Sequence, residues 1–207
     1  MQITGIEKQK KNSERYNIYI DGTYSFSAEL EDIIKYDIKI DRTISENELS
    51  ILIQKCEINK GYRYALNLLN VKDYSKKEFI DKLKQKGYSE KSIEIIINKL
   101  EDYGLIDDFK YANKYVRKKI NMNKLGKLRI INELKLKGVN NNIVEKINFD
   151  EDKMLNNAYN LAIKKLKGNK NENEALTKVA RFLYYKGYTN EEIKKVLKKI
   201  DKEIEWE

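Results

Sequence analysis

The sequence predicts a mainly α-helical protein in which three tandem three-helix repeats follow a small α+β domain with a short antiparallel sheet. Three observations support this fold class. Apolar residues recur at helical spacing from about residue 60 onward, and a Lys-Gly turn recurs there about every 50 residues. Residues 16–26 instead alternate between apolar and polar, as strands do. The 207 residues include no Pro, which fits long helices with short connections.

The first 60 residues predict the small α+β domain. Residues 16–20 alternate, Asp21-Gly22 suits a tight hairpin turn, and residues 24–26 alternate again. Two helices are expected after these strands, over residues 28–35 and 46–60. Because two or three strands are not stable alone in water, we expect the helices to cover the apolar face of the sheet.

A unit of about 50 residues then occurs three times, marked by Gly87, Gly138 and Gly187. Each Gly follows a Leu by four residues and precedes aliphatic residues by six and nine. Gly can end a helix in the left-handed conformation, and the Ser, Asn or Thr two residues later can cap the next helix. The predicted helices are 64–70, 75–87 and 90–103, then 107–121, 125–138 and 141–148, then 151–167, 172–187 and 190–203. The predicted segments are therefore 1–60, 61–106, 107–149 and 150–207.

The composition argues against an enzyme. The chain has no His, so the commonest general base and metal ligand are missing. Its two closest glycines, Gly126 and Gly138, are too far apart for a glycine-rich phosphate loop. Cys56 lies in a helical pattern and is expected to be a buried thiol. The acidic pairs fall mostly at predicted helix starts, where their negative charge interacts favourably with the helix dipole. We expect no catalytic residue, no cofactor and no metal site.

The sequence also favours a cytoplasmic location. No apolar stretch approaches the length needed to span a bilayer, so no membrane partner is expected. Charged residues stand near the amino terminus where a signal peptide requires a continuous apolar run. A single cysteine excludes an internal disulfide.

Positive charge is concentrated in residues 109–149. This segment holds 11 basic and 2 acidic residues, although the whole chain has a net charge of only +9. A general bias toward Lys would spread evenly and leave acids beside it, so we favour a surface that binds nucleic-acid phosphates or an acidic protein over a merely solvated face. The candidate binding residues are Lys110, Lys114, Arg117, Lys118, Lys119, Lys124, Lys127, Arg129, Lys135 and Lys137.

The same segment resembles the central signature of the RecX family of regulatory proteins. That signature has an acidic pair before a Phe and an Ala, then a basic helix, then Gly-x-x-(Arg/Lys)-Ile-x-x-Glu-Leu-x-x-Lys-Gly and an aliphatic residue. The resemblance extends to the first repeat and to the amino-terminal segment of longer family members, and it is weakest in the third repeat. The matching residues are Asp107, Asp108, Phe109, Ala112, Gly126, Arg129, Ile130, Glu133, Leu134, Lys137, Gly138 and Val139.

The resemblance implies a modulator of the RecA recombinase, usually an inhibitor, that acts in DNA recombination, repair and the SOS response. Such proteins lie along the RecA–DNA filament and alter its ATPase, strand-exchange and LexA-cleavage activities. The resemblance also implies binding to single- or double-stranded DNA, mainly without sequence preference, and we expect a monomer. The residues leave one alternative open, a stand-alone DNA-binding helical-repeat protein without RecA involvement.

Overall fold

The structure, a computed structural model, describes residues 1–10, 14–166 and 172–203. Its internal contacts divide the chain into two compact units. The first contains Met1–Lys72 and Phe79–Leu105, and the second contains Asp73–Glu78 and Ile106–Glu207. The mainly helical class and the small sheet before the helices are both confirmed.

The sheet has three antiparallel strands in the order β1 (Ile3–Lys8), β2 (Arg15–Ile20) and β3 (Thr23–Glu29). Asp21 and Gly22 join β2 to β3 as predicted, and both have positive φ values, 47° and 79°. This conformation matches the twist of a hairpin and favours the Asp-Gly pair. The alternating apolar residues of the strands form one face that is buried, with members Ile3, Ile18, Ile20, Phe26 and Ala28.

Two helices follow the sheet, α1 (Leu30–Lys35) and α2 (Glu46–Leu69). Leu52 and Cys56 of α2 are buried in the core beneath the sheet, which confirms that a helix covers its apolar face. Burial and the negative charge of Asp32 raise the pKa of the Cys56 thiol to about 12. Cys56 is therefore the buried thiol that the sequence predicted rather than a reactive thiolate.

One correction concerns α2, which is a single helix of 24 residues. The sequence predicted two helices here, over 46–60 and 64–70. Gly61 is buried inside α2, where a Cβ atom would collide with the Ile96 side chain. Gly61 thus allows close packing against another helix and does not end this one. The expected boundary after residue 60 lies within α2.

Eight further helices complete the repeats, and three tandem three-helix units are confirmed. One of them, at residues 141–144, is a single turn where the sequence predicted a helix through residue 148. None of the helices in the described residues is both long enough and apolar enough to cross a bilayer. The eight helices that complete the repeats in the described residues are α3 (Lys76–Gln85), α4 (Glu90–Asp102), α5 (Asp108–Lys118), α6 (Lys127–Leu136), α7 (Asn141–Val144), α8 (Glu151–Leu166), α9 (Glu172–Lys186) and α10 (Asn190–Glu203).

The Lys-Gly turn has the same geometry in all three repeats. Gly87, Gly138 and Gly187 have φ values of 82°, 79° and 89°. The amide after each Gly donates to the carbonyl of the Leu four residues before that Gly, at 3.3, 3.1 and 3.1 Å. This six-to-one bond is typical of a helix that ends on a left-handed residue. The next helix is then capped by the side chain of Ser89, Asn140 or Thr189, as predicted.

In the second unit, backbone hydrogen bonds join repeats two and three. The Gly126 amide donates to the Lys186 carbonyl at 2.9 Å, and the Leu128 amide donates to the Gly187 carbonyl at 3.0 Å. A Cβ atom on Gly126 would collide with the backbone of Gly187 and Tyr188. Only a glycine at position 126 permits this approach, which fixes the start of α6 beside the end of α9.

Candidate nucleic-acid interface

The basic helix α5 ends in an irregular turn. Residues Lys119–Asn123 form a π-helical turn, and Lys124 then adopts the left-handed conformation with φ 51°. The buried Asn157 amide donates to the Ile120 carbonyl at 2.9 Å, and the Tyr188 hydroxyl donates to the Lys124 carbonyl at 3.0 Å. These bonds satisfy backbone acceptors that would otherwise be costly to bury. The predicted α-helix through residue 121 is therefore wrong in its last turn.

Two glutamates hold three of the ten candidate residues. The Lys119 ammonium lies 2.8 Å from the Glu133 carboxylate, and Nε of Arg129 lies 3.3 Å from the same group. The Lys137 ammonium lies 2.7 Å from the carboxylate of Glu78. The side chains of Lys119 and Lys137 are only 22% and 27% exposed. Their charges are therefore largely balanced inside the protein.

Tyr111 and Tyr115 connect the two glutamates. Their rings stack with centroids 5.9 Å apart. The Tyr111 hydroxyl donates to Glu78 at 3.2 Å, and the Tyr115 hydroxyl donates to Glu133 at 2.7 Å. Burial, together with the neighbouring carboxylates, raises the pKa of both phenols, so both stay protonated donors. The tyrosines on the basic helix thus belong to an internal network.

Three other candidates lie within 4 Å of a carboxylate but remain exposed. The distances for Lys110, Lys114 and Lys127 are 3.6, 3.0 and 3.7 Å, with side chains 71%, 68% and 40% exposed. Exposed pairs of this kind contribute at most about 1 kcal/mol, and salt screens them. These lysines can therefore exchange their carboxylates for phosphates at little cost. Their respective partners are Asp107, Asp73 and Glu151.

Four candidates have no carboxylate within ion-pairing distance among the described residues. Arg117 and Lys118 are exposed at the end of α5, and Lys135 is exposed on α6. Lys124 is half-buried in the left-handed position after the π-helical turn. These four cations are the ones whose charge is available to a ligand without breaking an internal pair.

A polar cleft of about 610 Å³ borders Arg117. Amide side chains line part of it, and acidic residues at the start of α8 line another part. One of these acids, Asp150, accepts from the Lys153 amide at 3.0 Å and so caps α8. Arg117 therefore shares this cleft with acidic residues. Among the described residues no group of three Asp, Glu or Cys side chains could hold a metal ion.

The sequence did not reveal the role of Glu78. Its only local signal is the Ser-x-x-Glu spacing of a capping box, in which Ser75 and Glu78 exchange side-chain-to-backbone bonds at 3.0 and 3.2 Å. That spacing identifies a helix start, but not the contact with Lys137, which lies 59 residues further along the chain. The Ser75 hydroxyl also donates to the Lys137 carbonyl at 2.6 Å.

Replacing Glu133 by Gln should destabilise the second unit at neutral pH. Partial burial alone would raise the pKa of Glu133, but bonds from Lys119 and Tyr115 outweigh it and lower the pKa below its usual 4.5. A lowered pKa means that the stabilisation is present above pH 4.5 and is lost as the pH falls through the folded-state pKa. We expect E133Q to lower the unfolding free energy by about 1–2 kcal/mol at pH 7, measured by urea denaturation.

The difference between E133Q and the unmodified chain should shrink toward zero as the pH falls through the lowered pKa of Glu133. The matched control is Glu145→Gln, since Glu145 is the other acid of the basic segment and is exposed. A difference that stays constant while the Glu133 carboxylate becomes protonated would contradict the role assigned to it.

Family models account for most of the chain. The regulatory protein RecX N-terminal domain matches residues 1–45. The first, second and third three-helix domains of RecX match residues 62–100, 107–146 and 151–197. The chain belongs to the RecX family. It therefore has a regulatory role, as the resemblance to this family implied.

Relatives of the RecX family match over nearly the full chain. The regulatory protein RecX of Clostridium botulinum (strain Eklund 17B / Type B) is 36% identical over 203 residues, covering 95% of both chains. That of Clostridioides difficile (strain 630) is 34% identical and covers 96% of this chain and 95% of its own. A crystal structure of regulatory protein RecX superposes with a TM-score of 0.72 at 28% sequence identity. The match covers 95% of this chain and 98% of that one. The crystal structure of RecX from Lactobacillus salivarius superposes with a TM-score of 0.66 at 32% sequence identity. The match covers 70% of this chain and 97% of that one.

Several residues that carry the RecX resemblance maintain the fold of this chain. Gly126 allows the close approach of two repeats, and Gly138 forms the left-handed turn. Glu133 and Lys137 form internal ion pairs. The cations without a carboxylate partner among the described residues, Arg117, Lys118, Lys124 and Lys135, lie outside the matching positions. The RecX signature and the available charge therefore coincide in the segment but not in the residues.

Proposed function

We propose that the protein binds the RecA–DNA filament and inhibits its ATPase, strand-exchange and co-protease activities. Membership of a family of RecX regulatory proteins supports RecA as the partner. The observation that carries the contact is the set of exposed cations without internal partners, Arg117, Lys118 and Lys135. The protein acts by binding as a monomer, without catalysis and without a cofactor.

The ten basic candidates divide into three roles under this proposal. Arg117, Lys118, Lys124 and Lys135 contact phosphates or acidic RecA side chains directly. Lys110, Lys114 and Lys127 join them by exchanging exposed carboxylate partners for the ligand. Lys119, Arg129 and Lys137 mainly stabilise the packing of α5 and α6, the helices that carry most of the other cations. Binding to DNA then depends on phosphates and has little sequence preference.

Titration of the protein into preformed RecA filaments on single-stranded DNA tests the proposal. We expect the DNA-dependent ATP hydrolysis by RecA to fall as the protein concentration rises and to approach a low plateau. The control is E133Q at pH 7, which keeps Arg117, Lys118 and Lys135. Under conditions in which this variant is folded, it should also inhibit ATP hydrolysis by RecA. Unchanged hydrolysis, combined with sequence-preferring binding to duplex DNA, would instead support the stand-alone DNA-binding protein.

A further inference from the structure

Helix α9 presents two adjacent tyrosines to solvent, Tyr184 and Tyr185. Their side chains are 60% and 74% exposed. The ring centroids lie 6.2 Å apart at an interplanar angle of 71°. By contrast Tyr188, one turn further on, is fully buried in the core of the second unit. Tyr184 and Tyr185, which we call the tyrosine pair, contribute little to that core.

The repeat architecture does not require aromatic residues at these positions. The Leu that precedes each Lys-Gly turn aligns the tyrosine pair with Lys84-Gln85 in the first repeat and with Lys135-Leu136 in the second. All four of these residues are exposed, and the turn has the same geometry in each repeat. An aromatic pair that the fold does not need and that water surrounds suggests contact with a ligand.

Positive charge flanks the tyrosine pair. The Arg129 guanidinium of α6 donates to the Tyr185 carbonyl at 3.2 Å. Arg181 is exposed three and four residues before the pair, so it shares a face of α9 with it. Among the described residues no carboxylate lies within ion-pairing distance of Arg181. The Lys186 ammonium follows the pair and lies 5.8 Å from the centroid of a neighbouring aromatic ring, that of Phe182.

The tyrosine pair is held at a fixed place beside the basic helix α6. The bonds from Gly126 to the Lys186 carbonyl and from Leu128 to the Gly187 carbonyl join the end of α9 to the start of α6. Leu128 is itself 47% exposed. Aromatic rings, an aliphatic side chain and arginines therefore form one preorganised surface, which lowers the entropy cost of binding.

We infer that the tyrosine pair is a base-stacking site for single-stranded nucleic acid, and that it extends the phosphate-binding surface of repeat two into repeat three. The inference rests on the proposed function, because it assigns the same basic surface to nucleic acid. Exposed aromatic rings stack on any base, whereas a duplex keeps its base faces covered. Arg181 would hold the backbone beside the stacked bases.

The test measures binding of the full chain to a fluorescent 30-nucleotide oligothymidylate by anisotropy. The double variant Y184S/Y185S should bind at least tenfold more weakly, since the two stacked bases together contribute at least that much. The double variant Y184F/Y185F keeps both rings and should bind within twofold of the unmodified chain. The matched control Y103S removes a tyrosine that is 66% exposed on the first unit and should change nothing. The Arg129 contact survives in every variant because it uses a backbone carbonyl.

An abasic oligonucleotide of the same length separates stacking from charge. The unmodified chain should bind it about as weakly as Y184S/Y185S binds the normal oligonucleotide, and the serine variant should not distinguish the two. Equal affinity of the serine and phenylalanine variants for oligothymidylate overturns the inference, as does the absence of binding by the unmodified chain. Loss of RecA binding by the serine variant, with unchanged oligonucleotide affinity, also overturns it and assigns the surface to protein.

The two proposals fail separately. If the chain inhibits RecA while Y184S/Y185S keeps its oligonucleotide affinity, the stacking site is wrong and the proposed function stands. If stacking is measured on the isolated oligonucleotide but RecA hydrolysis is unaffected, the proposed function is wrong and the stacking site stands.

Discussion

Replacing Gly187 by Ala is expected to destabilise the third repeat and to weaken its attachment to α6. Gly187 has φ 89°, a conformation that costs an L residue about 1–2 kcal/mol. The added Cβ would also collide with the Cβ of Arg129 and lie 2.6 Å from its backbone nitrogen, which side-chain rotation cannot relieve. Overpacking of this kind costs about 1–3 kcal/mol more. We therefore expect a loss of about 2–5 kcal/mol in urea denaturation followed by circular dichroism.

Gly87→Ala is the matched control for this prediction. Gly87 occupies the equivalent position in the first repeat and has nearly the same φ, 82°, but no atom lies within 4 Å of its added Cβ. G87A should thus lose only the conformational part, about 1–2 kcal/mol. Hydrogen exchange should locate the added effect of G187A in the amides of Gly126 and Leu128. Equal losses for the two variants would show that the collision is relieved elsewhere.

Reversing the charge of Arg117 and Lys118 should remove most of the DNA affinity of the isolated chain. Both side chains are exposed, and among the described residues no carboxylate forms an ion pair with either of them. We expect R117E/K118E to bind oligothymidylate at least tenfold more weakly at low salt. The slope of log affinity against log salt should fall by about 1.4, since each lost phosphate contact removes about 0.7 on a single strand. Inhibition of RecA hydrolysis should be lost in parallel.

The control changes the net charge equally on the first unit. Lys8 and Lys91 are both exposed, so K8E/K91E alters the total by the same amount without touching α5 or α6. This variant should keep its affinity within twofold and its salt slope unchanged. If both double variants lose affinity alike, then net charge rather than the surface at the end of α5 governs binding. Circular dichroism of each variant verifies that the helices remain.

Features that depend on neighbouring residues were predictable from the sequence. The left-handed Gly138, the carbonyl acceptor at Leu134 and the cap at Asn140 lie within seven residues, and their residue types alone specify the geometry. The Asp21-Gly22 hairpin is local in the same sense. The basic segment was also predictable, because a local excess of charge needs no tertiary information.

Features that depend on distant residues were not predictable. Gly61 looks like a helix end until the Ile96 side chain, 35 positions later, explains why a glycine lies inside α2. The Ile120 carbonyl of the π-helical turn accepts a hydrogen bond from Asn157, 37 positions later. The pairing of Lys137 with Glu78, likewise, is set by packing alone. A count of charges could not show which cations the fold itself uses.

The continuity of α2 restricts where the chain can change length. Its first half places Leu52 and Cys56 under the sheet, and its second half places Gly61 against Ile96 and buries Ala65. One inserted residue between Cys56 and Gly61 would turn everything beyond it by about 100° and move Gly61 away from the Ile96 side chain. Seven inserted residues would restore the angle to within about 20°, but would shift it along the axis by about 10 Å. Within the family, length variation should therefore avoid this span and accumulate in the loops on either side.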